Sequence, residues 1–278
     1  MKQLILSGVL LVASGLFGLM AQPQGQPAKP TAQGGQAAPP AQGAPPAQQQ
    51  GPAPKSQAEA QAFMALQQAQ GNPDATIKAA EELMTKFADT QFKEIALYME
   101  AISYEQKGDF DKAIIYGRRV LDINPKNFQV TLLLGEVLAQ RTRENDLDKE
   151  EKLTEAAKLL NGTIENIKSA AKPNPQVTDQ QWEEAKKFVS AEAHNGLGLI
   201  ALTRKKYDVA IAEFETAVKD DPQPAYSVRL ASAQQSSGKN AEAIALCDKI
   251  LADPQLHPQI KAVAENIKKV ATAASQKK

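Results

Sequence analysis

Residues 191–222 read AEAHNGLGLIALTRKKYDVAIAEFETAVKDDP. Leu197 and Gly198 follow His194 by three and four residues, Ala210 precedes Phe214 by four, and Ala217 and Pro222 close the stretch. Apolar and small residues at these intervals share one face of a helix. Gly198 and Ala210 are small enough for two antiparallel helices to approach closely, while Tyr207 and Phe214 fill space towards a neighbouring pair. The final proline lacks an N–H and stops the second helix, so the stretch predicts one helix–turn–helix unit.

The same frame fits residues 94–125, with Leu97, Ala101, Tyr104, Gly108, Phe110, Ala113, Val120 and Pro125 in corresponding places. Here Gly108-Asp109-Phe110 supplies a tight turn and the start of the second helix. A further unit from Pro224 offers Leu230-Ala231, Gly238, Ala243 and Ile250 before Pro254, and a first one near Gln57 offers Phe63, Gly71, Ile77, Ala80 and Met84. One such match is explained by chance in an ordinary helical bundle. Several with matching turns point to a repeat whose units bury their apolar faces only by stacking.

The Leu-Gly, Ala-x-x-x-Phe and terminal Pro spacing resembles the tetratricopeptide-repeat family, with His194 in place of an aromatic and Ala201 in place of tyrosine. The resemblance implies an all-α, right-handed α-solenoid over residues 57–256, made of about five helical pairs. It also implies that the first helix of each pair lines a groove. The groove positions would be Tyr98, Ile102, Glu105, Gln129, Leu132, Glu136, Asn195, Leu199, Val228 and Ser232. One version of this groove grips a terminal carboxylate with Lys, Arg and Asn. The positions here are mainly apolar, acidic or amide, so the implied ligand is an extended or helical protein segment.

Between the regular units, residues 141–190 are irregular. Leu134-Gly135 opens a unit, but a charged run from Arg141 to Glu150 replaces the turn before a helix resumes around Leu153 to Ser169. Mixed charge predicts a solvated loop or a lengthened hairpin, with a partner-binding protrusion as the alternative. After Pro173-Asn174-Pro175, Thr178-Asp179-Gln180-Gln181 reads as a capping box that opens a helix reaching Arg204. Trp182, Ala185 and Val189 share one face of that helix and are expected to pack on the helix ending near Ser169; the alternative is an exposed aromatic anchor. Residues 257–274 read as a terminal amphipathic helix capping the last unit.

The N-terminus is of another kind. Lys2 and an apolar run from Leu4 to Met20, ending at the small residue Ala21, have the layout of a signal peptide, residues 1–21. Retention of the run as an anchor is the competing reading. Residues 22–56, nearly all Gln, Pro, Ala and Gly, predict a disordered linker. Export, to a bacterial periplasm or envelope, is the expectation.

Lys plus Arg and Asp plus Glu both total 32 among 278 residues, so no basic excess advertises nucleic acid. With two histidines and the lone Cys247, no spacing assembles a metal site, and no cofactor motif is present. Gly196-Leu197-Gly198 lies inside a helix and cannot cradle phosphate. His194 stands at a packing position, Cys247 reads as core beside Ile244 and Ile250, and Glu81-Glu82 and Glu183-Glu184 read as solvated helix faces. Asn161-Gly162-Thr163 matches a glycosylation acceptor by pattern alone. The expectation is a non-enzymatic scaffold that binds proteins. A membrane-tethered spacer and, more distantly, an enzyme on a helical scaffold are the alternatives, and oligomeric state is open.

Overall fold

The structure, a computed structural model, describes residues 52–276. The expected signal peptide and the linker up to residue 51 lie outside the described residues. Every regular element described is a helix: α1 (Gln57–Gln68), α2 (Pro73–Lys86), α3 (Lys93–Gln106), α4 (Phe110–Ile123), α5 (Phe128–Arg141), α6 (Lys149–Ser169), α7 (Asp179–Thr203), α8 (Tyr207–Asp220), α9 (Pro224–Ser236), α10 (Asn240–Leu251) and α11 (Pro258–Ser275).

Consecutive helices pack as hairpins, α1 with α2 through α9 with α10, and each second helix also packs on the first helix of the next pair. The first helices form one layer. Ala101 of α3 packs with Leu133 and Val137 of α5, α5 touches α7, Ala191 of α7 packs with Tyr226 of α9, and α9 touches α11. α11 ends the stack, laying Ile260, Ala264, Ile267 and Ala271 over Val228 and the buried Cys247.

Local chemistry sets each boundary. Ser56, Asn72, Asp109, Asn127 and Thr178 cap helix N-termini through their side chains, and Thr178 with Gln181 forms the expected capping box. In the second, fourth and fifth pairs the chain reverses through a left-handed residue: Gly108 at φ 74°, Lys205 at φ 58° and Gly238 at φ 84°. In each case the next N–H returns to a carbonyl of the finished helix, Asp109 to Tyr104, Lys206 to Ala201 and Lys239 to Gln234.

Where the two helices of a pair cross, residue sizes are complementary. Ala101 and Ala231 are matched sixteen residues later by the small Gly117 and Cys247, whereas Gly198 is matched by Phe214. A Cβ on Gly198 would lie 2.5 Å from the Phe214 ring, and one on Gly135 would lie 2.6 Å from Leu160. Leu160 is therefore the partner of Gly135 although it follows by 25 residues, which locates a nine-residue insertion between α5 and α6.

That insertion is the charged run. Residues 142–148 turn back on the α7–α8 reversal: Glu144 pairs with Lys205 at 2.7 Å, and Glu150 accepts from Arg204 at 2.9 Å. Arg204 also donates to Thr154. Leu147 at the tip is fully exposed. The lengthened α6 and α7, of 21 and 25 residues against 14 in α4 and α5, pack on each other. Trp182 is buried in this seam, edge-on to Phe128, and its Nε1–H donates to the Ala170 carbonyl at 3.2 Å. It is core and not an exposed anchor. The start of the body is also pinned, because Lys55 pairs with Asp89, and Ala53 donates to Gln91.

Candidate protein-binding groove

The ten residues expected to line the groove all fall on first helices, and they divide by depth. Tyr98, Leu132, Glu136, Asn195 and Val228 are buried. Ile102, Glu105, Gln129, Leu199 and Ser232 are half-buried and form the accessible floor. Tyr98 packs with Leu97, Val120, Val130 and Leu134, and burial pushes its hydroxyl well above the usual tyrosine range. Leu132 belongs to the central core with Trp182, and Val228 to the C-terminal core.

The polar members are joined by side chains that the repeat pattern does not mark. Glu136 of α5 faces Glu192 of α7, and desolvation together with Glu192 holds the Glu136 carboxyl well above the usual carboxylate range. Arg229 of α9 opposes this shift and donates to Asn195 Oδ1. Its guanidinium is itself lowered by burial, against the attraction of Glu192 and Glu136. Tyr226 is buried with its hydroxyl against Glu192, and burial together with that carboxylate pushes the hydroxyl well above the usual tyrosine range. Glu105 of α3 completes the row, raised by desolvation alone. Sequence patterning misses Glu192, Tyr226 and Arg229 because they sit within apolar runs such as Val228-Arg229-Leu230; a charge flanked by core residues was the available signal.

Elsewhere, Glu100 is buried in α3 with both carboxylate oxygens unpartnered. Burial and Glu81 push it up to about 8 against the pull of Arg119. His194 packs between helices with Nδ1 2.7 Å from Glu213. Glu183 pairs with Lys186 and Glu82 with Lys86 on exposed faces. In the Asn161 acceptor pattern, Thr163 is inaccessible and its hydroxyl meets Thr131 at 2.8 Å, so the pattern is folded into a helix pair. Among the described residues no group of three or more His, Cys, Asp or Glu is placed to hold a metal ion, and no helix is long and apolar enough to cross a membrane.

Residues 95–127 match one tetratricopeptide-repeat family model, and residues 185–223 and 195–258 match another. The fold is a tetratricopeptide-like solenoid. TTC0263, a thermophilic tetratricopeptide protein of Thermus thermophilus, superposes with a TM-score of 0.52 at 19% identity, over 75% of this chain and 98% of that one. MamA, from residue 41 to its end, of Desulfovibrio magneticus superposes with a TM-score of 0.54 at 18% identity, over 70% of this chain and 94% of that one. No curated protein sequence matches the chain. Tetratricopeptide solenoids generally mediate protein–protein interactions, and the half-buried row described above lies on the first helices of this one.

Proposed function

We propose that this solenoid is a non-catalytic scaffold of the cell envelope that binds an extended or helical segment of another protein along its first-helix face. The observation that carries the reading is the row of Ile102, Glu105, Gln129, Leu199 and Ser232, half-exposed on a bed of buried residues from four successive pairs. A rigid floor that mixes aliphatic, amide and acidic groups offers both apolar area and hydrogen bonds to a peptide backbone. Export is supported by the layout of residues 1–21, with residues 22–51 as the tether between exit point and body.

Site-specific photo-crosslinking tests the groove. A photoreactive residue at Gln129 or Ser232 in the native envelope should capture a discrete partner, whereas one at Ile115, exposed on α4, should not. Equal capture from both positions would remove the groove reading. The mass of the mature chain tests export: a start at Gln22 means cleavage, an intact Met1 a retained anchor, and recovery from the cytoplasmic fraction would refute envelope location.

A further inference from the structure

At the end of α5 the chain turns at Thr142 towards the α7–α8 reversal, where Glu144 meets Lys205. A pocket of about 220 Å³ lies between the end of α5, the Gly108 reversal of the second pair and Lys152 at the start of α6. Its apolar wall is Phe110, Ile114, Val137 and Leu138. At about 30 Å³ of liquid volume per water, that is room for about seven waters or one aliphatic side chain. Most charges at the rim have a counter-charge: Asp109 has Lys112 at 3.5 Å, Lys152 has Asp148 at 3.0 Å, and Asp111 adds to the attraction on Lys152. Arg141 is left over. Among the described residues its guanidinium makes no ion pair and no hydrogen bond, and it lies over the Phe110 ring, 4.4 Å from the centroid. That contact restrains the group through its face and leaves its N–H edge available. A guanidinium restrained beside an apolar pocket is prepared for a carboxylate, because the fork is positioned before anything binds. None of Ile102, Glu105, Gln129, Leu199 and Ser232 lines this pocket, so it is separate from the groove.

We propose that this pocket is a second docking point for a protein partner: it takes one aliphatic side chain of leucine size, while an adjacent aspartate or glutamate of the same segment pairs with Arg141. The inference rests on the reading of the solenoid as a protein-binding scaffold, and not on the groove. Affinity comes mainly from the aliphatic group, which leaves water for the wall of Phe110, Ile114, Val137 and Leu138. The ion pair at the solvated rim adds less strength and sets the direction in which the segment runs.

The test is a nuclear magnetic resonance titration of the isotope-labelled full chain with three peptides of one Ser/Gln/Ala sequence, carrying Leu-Asp, Ser-Asp or Leu-Asn at the same two adjacent sites. The Leu-Asp peptide should shift the amides of Gly108, Asp111 and Thr142 and bind about ten-fold or more tighter than the Ser-Asp peptide. Its advantage over the Leu-Asn peptide should be about two- to five-fold, and should vanish in Arg141→Gln while the advantage from leucine stays. Equal binding of the three peptides, binding of none, or an aspartate preference kept in Arg141→Gln would overturn the proposal. So would a concentration-dependent dimer that Leu147→Ser abolishes, since the occupant would then be the fully exposed Leu147 of a second copy. The location of the shifts separates this from the groove reading. Shifts confined to the half-buried first-helix row would remove this site and keep the groove, whereas shifts at the pocket without crosslinking from Gln129 or Ser232 would keep this site and remove the groove.

Discussion

Glu100 and Leu134 stand at the same place in successive units, 34 residues apart and each one residue before the small residue of the helix crossing, and both are buried. Leu197 and Leu230 hold that place in later units. A carboxyl thus sits in a leucine site with neither oxygen hydrogen-bonded.

The consequence is a pH-dependent stability. The Glu100 carboxyl is raised from 4.5 in the unfolded chain to about 8 in the fold, so between these values folding requires a proton that the unfolded chain has released. Its contribution is full below pH 4.5 and is lost as pH rises towards 8, by about 1.4 kcal/mol per unit. Glu100→Leu should therefore raise stability, and urea melts should show a larger gain at about pH 9 than at about pH 5. A gain equal at both pH values would refute the assignment.

Lys205 tests the turn. It holds the left-handed conformation that glycine holds at Gly108 and Gly238, and its pairing with Glu144 is solvent-exposed. Lys205→Gly should raise the melting temperature by about 2–4 °C, because glycine carries no Cβ penalty at positive φ and the lost ion pair is screened. Lys205→Ala, which keeps the Cβ, should give no such rise.

The size complementarity at the helix crossings predicts coupling. Gly198→Ala drives a Cβ into the Phe214 ring and should cost about 1–3 kcal/mol. Phe214→Ala, alone destabilising, should relieve part of that cost in the double variant by vacating the space the added Cβ takes; leucine would not serve, since a Cβ on Gly135 would lie 2.6 Å from Leu160. Additive losses in a double-mutant cycle would show that the ring and the glycine are not the coupled pair.

Trp182 is the one tryptophan of the chain, 5% exposed, and so reports on the α6–α7 seam. Its emission should be blue-shifted and protected from iodide, and binding of a partner in the groove should leave it so. Trp182→Ala should cost about 3–5 kcal/mol in chemical denaturation, from lost packing on Phe128 and the lost bond to Ala170.

The fold was legible in the sequence because a repeat states its rules several times. Leu197-Gly198, Ala210, Phe214 and Pro222 specify one crossing, and residues 94–125 repeat it. The third pair was harder to read, since the nine inserted residues displace Ala156 and Leu160 from their expected spacing while leaving their packing intact. The groove was legible as a set of helix positions but not as depth: which members lie under the surface depends on how closely α3, α5, α7 and α9 approach one another. Its electrostatic character came from Glu192 and Arg229, residues outside the repeat signature. Such departures are expected where function competes with packing.

The inserted loop also bears on how the solenoid carries load. In a stack where each pair holds only its neighbours, tension applied at the two ends is met junction by junction. The third and fourth pairs are joined by the long seam of the lengthened α6 and α7, while the solvent-exposed pairs Glu144–Lys205 and Glu150–Arg204 only orient the insert against the next reversal. Under force the terminal pairs, each held by a single neighbour, peel away first and the α6–α7 block gives way later, so the middle of the groove keeps its shape while the outer repeats are shed.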